Sequence, residues 1–188
     1  MKTTSALLAI LCSSTVATAT KNNFDESKYC PGSPATRHAR CAMTVSFPSN
    51  TCNQVKLEMI SRMTNADWID PHNRGKYTLH DANDNGDDMS FIRGSRITGN
   101  GQYTDKFMLT FNPGESDDSC QLVACSQSQV FSVLDYSTNY CNLRNLYCSE
   151  GDGCVNANAV ENTDLAGYVE EYVDCNQNAK RKCIVSSR

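Results

Sequence analysis

The sequence predicts an α+β fold in which one helix packs on a four-stranded antiparallel sheet, with disulfides as staples and a second helix near the C-terminus. Three observations carry this. Residues 52–65 repeat apolar side chains at three- and four-residue steps, the period of a helix. Later stretches alternate apolar and polar residues or cluster β-formers between turn residues, the period of strands. Cysteine is dense: the chain has 11, and Cys12 falls in the leader, which leaves ten. At 188 residues the length fits one ordinary domain better than two.

Residues 1–19 have the parts of a secretory signal: Lys2, the apolar run from Ala6 to Cys12, and the small-residue pattern Ala17-Thr18-Ala19 ahead of Thr20. Seven apolar residues are too few for the roughly 20 that cross a bilayer, and no later stretch is longer, so a secreted, extracellular product with no membrane span is expected. Residues 20–48 are polar, carry Pro31, Gly32 and Pro34, and read as an irregular arm pinned by Cys30 and Cys41. Residues 49–188 read as one disulfide-rich domain.

That domain begins with Ser49, Asn50 and Thr51 as caps for the helix, whose stripe is Cys52, Val55, Met59, Ile60 and Met63. Thioethers fill irregular gaps, so this stripe reads as core. The four strands follow. Residues 76–80 alternate, residues 89–97 run to the Gly99-Asn100-Gly101 reversal, Phe107, Leu109 and Phe111 share one face of residues 103–112, and residues 121–133 carry Leu122, Val123, Val130, Phe131 and Val133. In residues 164–174, Leu165, Tyr168, Val169, Tyr172 and Val173 fall on a helical stripe with Thr163 as cap. Lys180-Arg181-Lys182 reads as a solvated end.

The cysteines Cys30, Cys41, Cys52, Cys120, Cys125, Cys141, Cys148, Cys154, Cys175 and Cys183 read as structural disulfides, because no pair has the close spacing of a zinc site with histidines nearby. Spacing leaves the connectivity open. On one strand Cys120 and Cys125 would lie about 16 Å apart, too far to bridge each other. A direct Cys141 to Cys148 bridge requires a turn, for which Asn142 and Asn145 offer residues.

A formal net charge of -4 disfavours nucleic acid as a partner. Asp81-Ala82-Asn83-Asp84-Asn85-Gly86 matches the start of a calcium loop, with Asp81, Asn83, Asn85 and Asp87 as oxygen ligands. The twelfth position is Ile92 where a bidentate glutamate is required, and an acidic hairpin tip explains the same residues, so no cofactor is expected beyond weak calcium. His72 and His80, the latter beside Asp81, are the candidates for acid–base catalysis, and Glu58 and Arg96 add the residue types of a small ribonuclease. No nucleophile elbow, His-Glu-x-x-His helix or phosphate loop is present.

Residues 68–73 (Trp-Ile-Asp-Pro-His-Asn), 103–107 (Tyr-Thr-Asp-Lys-Phe) and above all 137–148 (Ser-Thr-Asn-Tyr-Cys-Asn-Leu-Arg-Asn-Leu-Tyr-Cys) resemble small secreted cysteine-rich proteins of microalgae and similar eukaryotic microbes. The resemblance implies export and a shared fold and carries over no catalytic residue. A helix followed by four antiparallel strands also has a cystatin-like outline, yet Gln127-Ser128-Gln129-Val130-Phe131 lacks the glycine and spacing of the inhibitory loop. The expected function is a secreted binding or interaction protein for an extracellular ligand or protein. The alternatives are a small secreted hydrolase using His72 or His80, and a cystatin-like protease inhibitor.

Overall fold

Cys41, Met43, Val45 and Phe47 alternate with Ala42, Thr44 and Ser46, and this period-two run builds β1 (Arg40–Phe47). The computed structural model describes residues 24–83, 90–157 and 164–184; residues 1–19, expected to be a secretory signal, lie outside them. β1 corrects the reading of residues 20–48 as irregular throughout: its alternation is short, and the Pro- and Gly-bearing segment before it hides it. Ahead of β1 a short helix α1 (Glu26–Tyr29) is capped by Asp25.

α2 (Cys52–Thr64) follows with Thr51 and Gln54 as a capping box. Its Val55, Met59 and Met63 are buried in the main core, with Cys52 and Ile60 packed against it. Then come β2 (Lys76–Asn83), β3 (Ser90–Ile97), β4 (Thr104–Pro113) and β5 (Cys120–Ser128). The sheet has six strands, not four, in the order β2-β3-β4-β5-β1-β6, with every pairing antiparallel. The fourth predicted strand ends at Ser128 and not at residue 133.

The sixth strand is β6 (Val169–Cys175), where a C-terminal helix was expected. β-Branched and aromatic residues at 168, 169, 172 and 173 fit both a helical stripe and a strand, and the pairing with β1 together with the Cys41–Cys175 bridge selects the strand. The second substantial helix is instead α3 (Thr138–Arg144), which overlaps the residues 142–145 that offered a turn.

Both α2 and α3 lie on one face of the sheet. Register brings Val45 opposite Leu122, Leu109 opposite Ala124 and Ile92 opposite Leu109, and these side chains share one core with Tyr140, Leu143, Leu146 and Tyr147 from α3 and the turn after it. Gly94 on β3 admits the Phe107 ring, since a Cβ there would stand 2.4 Å from Phe107 Cζ. Arg62 of α2 locks the two helices together. Its guanidinium bonds Glu58 (2.8 Å), the Asn145 and Cys148 carbonyls (3.0 and 2.9 Å) and Asn156 Oδ1 (2.6 Å).

All ten cysteines among the described residues are bridged: Cys30–Cys125, Cys41–Cys175, Cys52–Cys120, Cys141–Cys183 and Cys148–Cys154. Cys120 and Cys125 point to opposite faces of β5 and bond elsewhere, as their spacing on one strand requires. Cys141 and Cys148, for which a direct bridge would have required a turn, bond Cys183 and Cys154 instead, with α3 running from Thr138 to Arg144. Cys30 holds residues 24–39 against the face of the sheet opposite α2 and α3, where Ala42 and Cys125 are buried with Phe24 packed on them.

Candidate functional site

The two histidines do not form a site. His72 is half-buried and bonds through Nδ1 to the Lys182 carbonyl (2.6 Å), so Nδ1 carries the proton; burial pushes its pKa down and keeps it neutral. It ties the loop before β2 to the C-terminal segment. His80 is the bulged residue of β2, between Leu79 and Asp81 in register, and is exposed. Its Nε2 is 2.8 Å from Ser95 Oγ, but no described carboxylate bonds its ring, and Asp81 instead faces Arg93 at 4.0 Å. Glu58 and Arg96 are likewise buried in ion pairs, with Arg62 and Asp70.

Of the calcium candidates, Asp81 and Asn83 are described, and Asn85 and Asp87 lie outside the described residues. The Asn83 carbonyl receives the Lys56 ammonium (2.6 Å), which places a positive charge at the neck of the loop. Among the described residues no group of three or more His, Cys, Asp or Glu side chains is arranged to hold a metal ion.

The polar chemistry gathers under α3. Asn139, Asn142 and Asn145 recur at three-residue steps and face the sheet, and each is fully buried. Each donates its side-chain amide to a buried aspartate: Asn139 to Asp135 (2.7 Å), Asn142 to Asp105 (2.8 Å), Asn145 to Asp70 (2.9 Å). Ser126 connects the first two rungs, donating to Asn139 Oδ1 (2.7 Å) and accepting from Asn142 (3.1 Å), while Ser128 donates to Asp105 (2.5 Å).

The rungs differ in charge. Asp70 is bonded by Arg96, whose charge and hydrogen bond, with those of Asn145 and Asn73, outweigh burial and hold its pKa below the usual carboxylate range. Asp105 faces Arg96 across β3 and β4; the guanidinium bonds Asp70 and Asn73 through Nη2, and its Nε and Nη1 have no hydrogen-bond partner among the described residues. Asp135 has no cation bonded to it among the described residues. Burial raises its pKa to about 6 against the two bonds from Asn139, and the charge of Asp105 adds to the rise. Its Oδ1 takes both Asn139 donors, backbone and side chain, and its Oδ2 is buried with no donor among the described residues.

This end of the network opens into a cleft of about 410 Å³, within the usual size of small-molecule sites of roughly 300–1,000 Å³. Asp105, Ser128 and Asp135 form its polar side. Tyr103 from the β3–β4 turn and Phe131, Val133, Leu134 and Tyr136 from the loop after β5 form its rim. Phe131 is 66% exposed and Leu134 62%, an apolar patch that a core would normally cover. Two consecutive non-glycine residues, Tyr136 (φ 51°) and Ser137 (φ 67°), take the left-handed conformation that turns the chain into α3 and sets Asp135 beneath its first turn.

Sequence reasoning missed Asp105, Asp135 and the asparagines. The signal was present as Asn-x-x-Asn-x-x-Asn within a cysteine-bearing stretch, but Asn142 and Asn145 were weighed only as turn formers. Asp70, Asp105 and the three asparagines lie in residues 68–73, 103–107 and 137–148, so those three segments meet at α3. Comparison with family models, with curated proteins and with solved structures finds no match to this chain, so the geometry of the cleft is what speaks to function.

Proposed function

We propose that this chain is a secreted, disulfide-rich binding protein of the small cysteine-rich type found in microalgae and similar microbes, and that it takes a small amphipathic molecule in the cleft between the 131–136 loop and the β3–β4 turn. The observation that carries this is the pairing of an exposed apolar rim with a buried acceptor that has no donor among the described residues, Asp135 Oδ2. Apolar rim and sparse, placed polar groups are the makeup of a ligand site. The leader and the five bridges support export, since disulfides of this density persist in oxidising compartments.

The test uses the full mature chain, produced with its disulfides, and the neutral dye Nile red. Saturable binding with enhanced emission is expected, weakened at least about tenfold by Phe131→Ser with Leu134→Ser. Binding that the double variant leaves unchanged would remove the cleft as the site.

A further inference from the structure

We propose that the cleft selects a cation: its ligand carries one ammonium group on an apolar or aromatic body and seats that group against Asp135. This rests on the cleft being the binding site and goes on to name the chemistry of the occupant. The other carboxylates buried in this fold each have a cation at hand. Asp70 has Arg96, which also faces Asp105 across β3 and β4, Glu58 has Arg62, and Glu170 has Lys180 at 3.0 Å together with the hydroxyls of Tyr140, Tyr147 and Tyr172. Asp135 has only the amides of one asparagine, and an isolated buried carboxylate is costly to keep ionised.

No lysine, arginine or histidine lines the cleft, whereas two carboxylates do. An anionic ligand would add a third negative charge. A neutral hydroxyl would satisfy Oδ2 as a donor but leave the charge, and an ammonium answers both. The rim adds the aromatic faces of Tyr103 and Phe131, which attract a cation in their own right, while the Tyr136 ring already carries the Lys182 ammonium at 5.4 Å. Because Oδ2 is buried, the rim side chains must rotate aside for the head group to reach it, a change of the kind common at binding surfaces.

Three probes of one shape separate the outcomes: phenethylamine, phenethyl alcohol and hydrocinnamate, titrated calorimetrically at neutral pH into the disulfide-intact protein. The amine should bind at least about tenfold tighter than the alcohol, with no binding of the carboxylate. Asp135→Asn should erase the advantage of the amine and leave the alcohol unchanged, and if that variant fails to fold, Asp105→Asn should narrow the same gap. Equal binding of amine and alcohol, or binding of the carboxylate, overturns the selection of a cation while leaving the cleft as a site. If no probe binds but Nile red does, the cation reading alone falls; if neither binds, the cleft reading falls as well.

Discussion

Asn142 on α3 donates its side-chain amide to Asp105 on β4 at 2.8 Å, with both residues almost wholly buried. The bond is the middle rung of three, and it fixes the height of α3 above the sheet at the point where apolar packing gives way to polar contacts. A leucine at 142 would satisfy the burial and leave Asp105 with Ser128 as its one side-chain donor. The helix is therefore positioned by directional bonds on its sheet side, where a helix of this size is ordinarily held by shape alone.

Removing that rung should show strong coupling. Asn142→Ala leaves a buried carboxylate short of a donor and should cost about 1–3 kcal/mol beyond the loss of packing, whereas adding Asp105→Ala should recover part of the loss. Urea unfolding of the two single variants and the double variant measures the coupling. Additive losses would mean that the rung contributes little.

Asp135 predicts the response to acid. Its carboxyl has a folded-state pKa of about 6 against an ordinary 3.8, so the stability tied to its protonated form is complete below 3.8 and is lost as pH rises through about 6. The wild type should gain on the order of 3 kcal/mol from this group between about pH 7 and pH 4. Asp70 and Glu170, both held below the usual carboxylate range, act in the opposite direction at lower pH. Asp105 opposite Asp135, Arg96 behind Asp105 and Lys182 over the Tyr136 ring are the charges facing this region. The comparison that isolates the effect is the melting temperature of wild type and Asp135→Asn across that window, with the rise confined to wild type.

Core and histidine substitutions should separate. Met59 is fully buried in α2, and Met59→Ala should cost about 2–5 kcal/mol. His72 is no free surface residue, because it holds the Lys182 carbonyl, so His72→Ala should cost about 1 kcal/mol. His80→Ala, exposed at a bulge, should stay within about 0.5 kcal/mol. Denaturant midpoints with unchanged slopes give the three values.

The bridges should rank by the loop they close. Cys41–Cys175 spans 134 residues and Cys148–Cys154 spans six. On chain entropy, replacing both cysteines of the first pair by serine should cost about 5 kcal/mol, and of the second about 2 kcal/mol. Equal losses would show that local strain and packing outweigh loop length.

The legible parts of the fold were those with one strong period. The stripe of Val55, Met59 and Met63 and the alternation through Phe107, Leu109 and Phe111 each admit a single assignment. The illegible parts carried two signals at once. Residues 168–173 satisfy a helix and a strand equally, and only the partner strand β1 decides between them. The site was hidden for a different reason: Asp105 and Asp135 are 30 residues apart in sequence and unremarkable singly, and their burial, which makes them chemically unusual, is a property of the packed chain.

The place of β1 in the sheet sets an order of events during synthesis. β1 is the first strand made, yet its two neighbours, β5 and β6, are the last two. At about 5–20 residues per second, Cys41 waits on the order of 10 s for Cys175 to emerge, and Cys30 waits nearly as long for Cys125. Throughout that interval the earlier thiols are exposed to Cys52 and to each other, so a nascent chain can close wrong pairs before the right ones exist. Any wrong pair closed in that interval is corrected only by thiol exchange after the last strand arrives, so for a chain oxidised as it is made the yield should follow the supply of a disulfide isomerase more closely than the rate of oxidation.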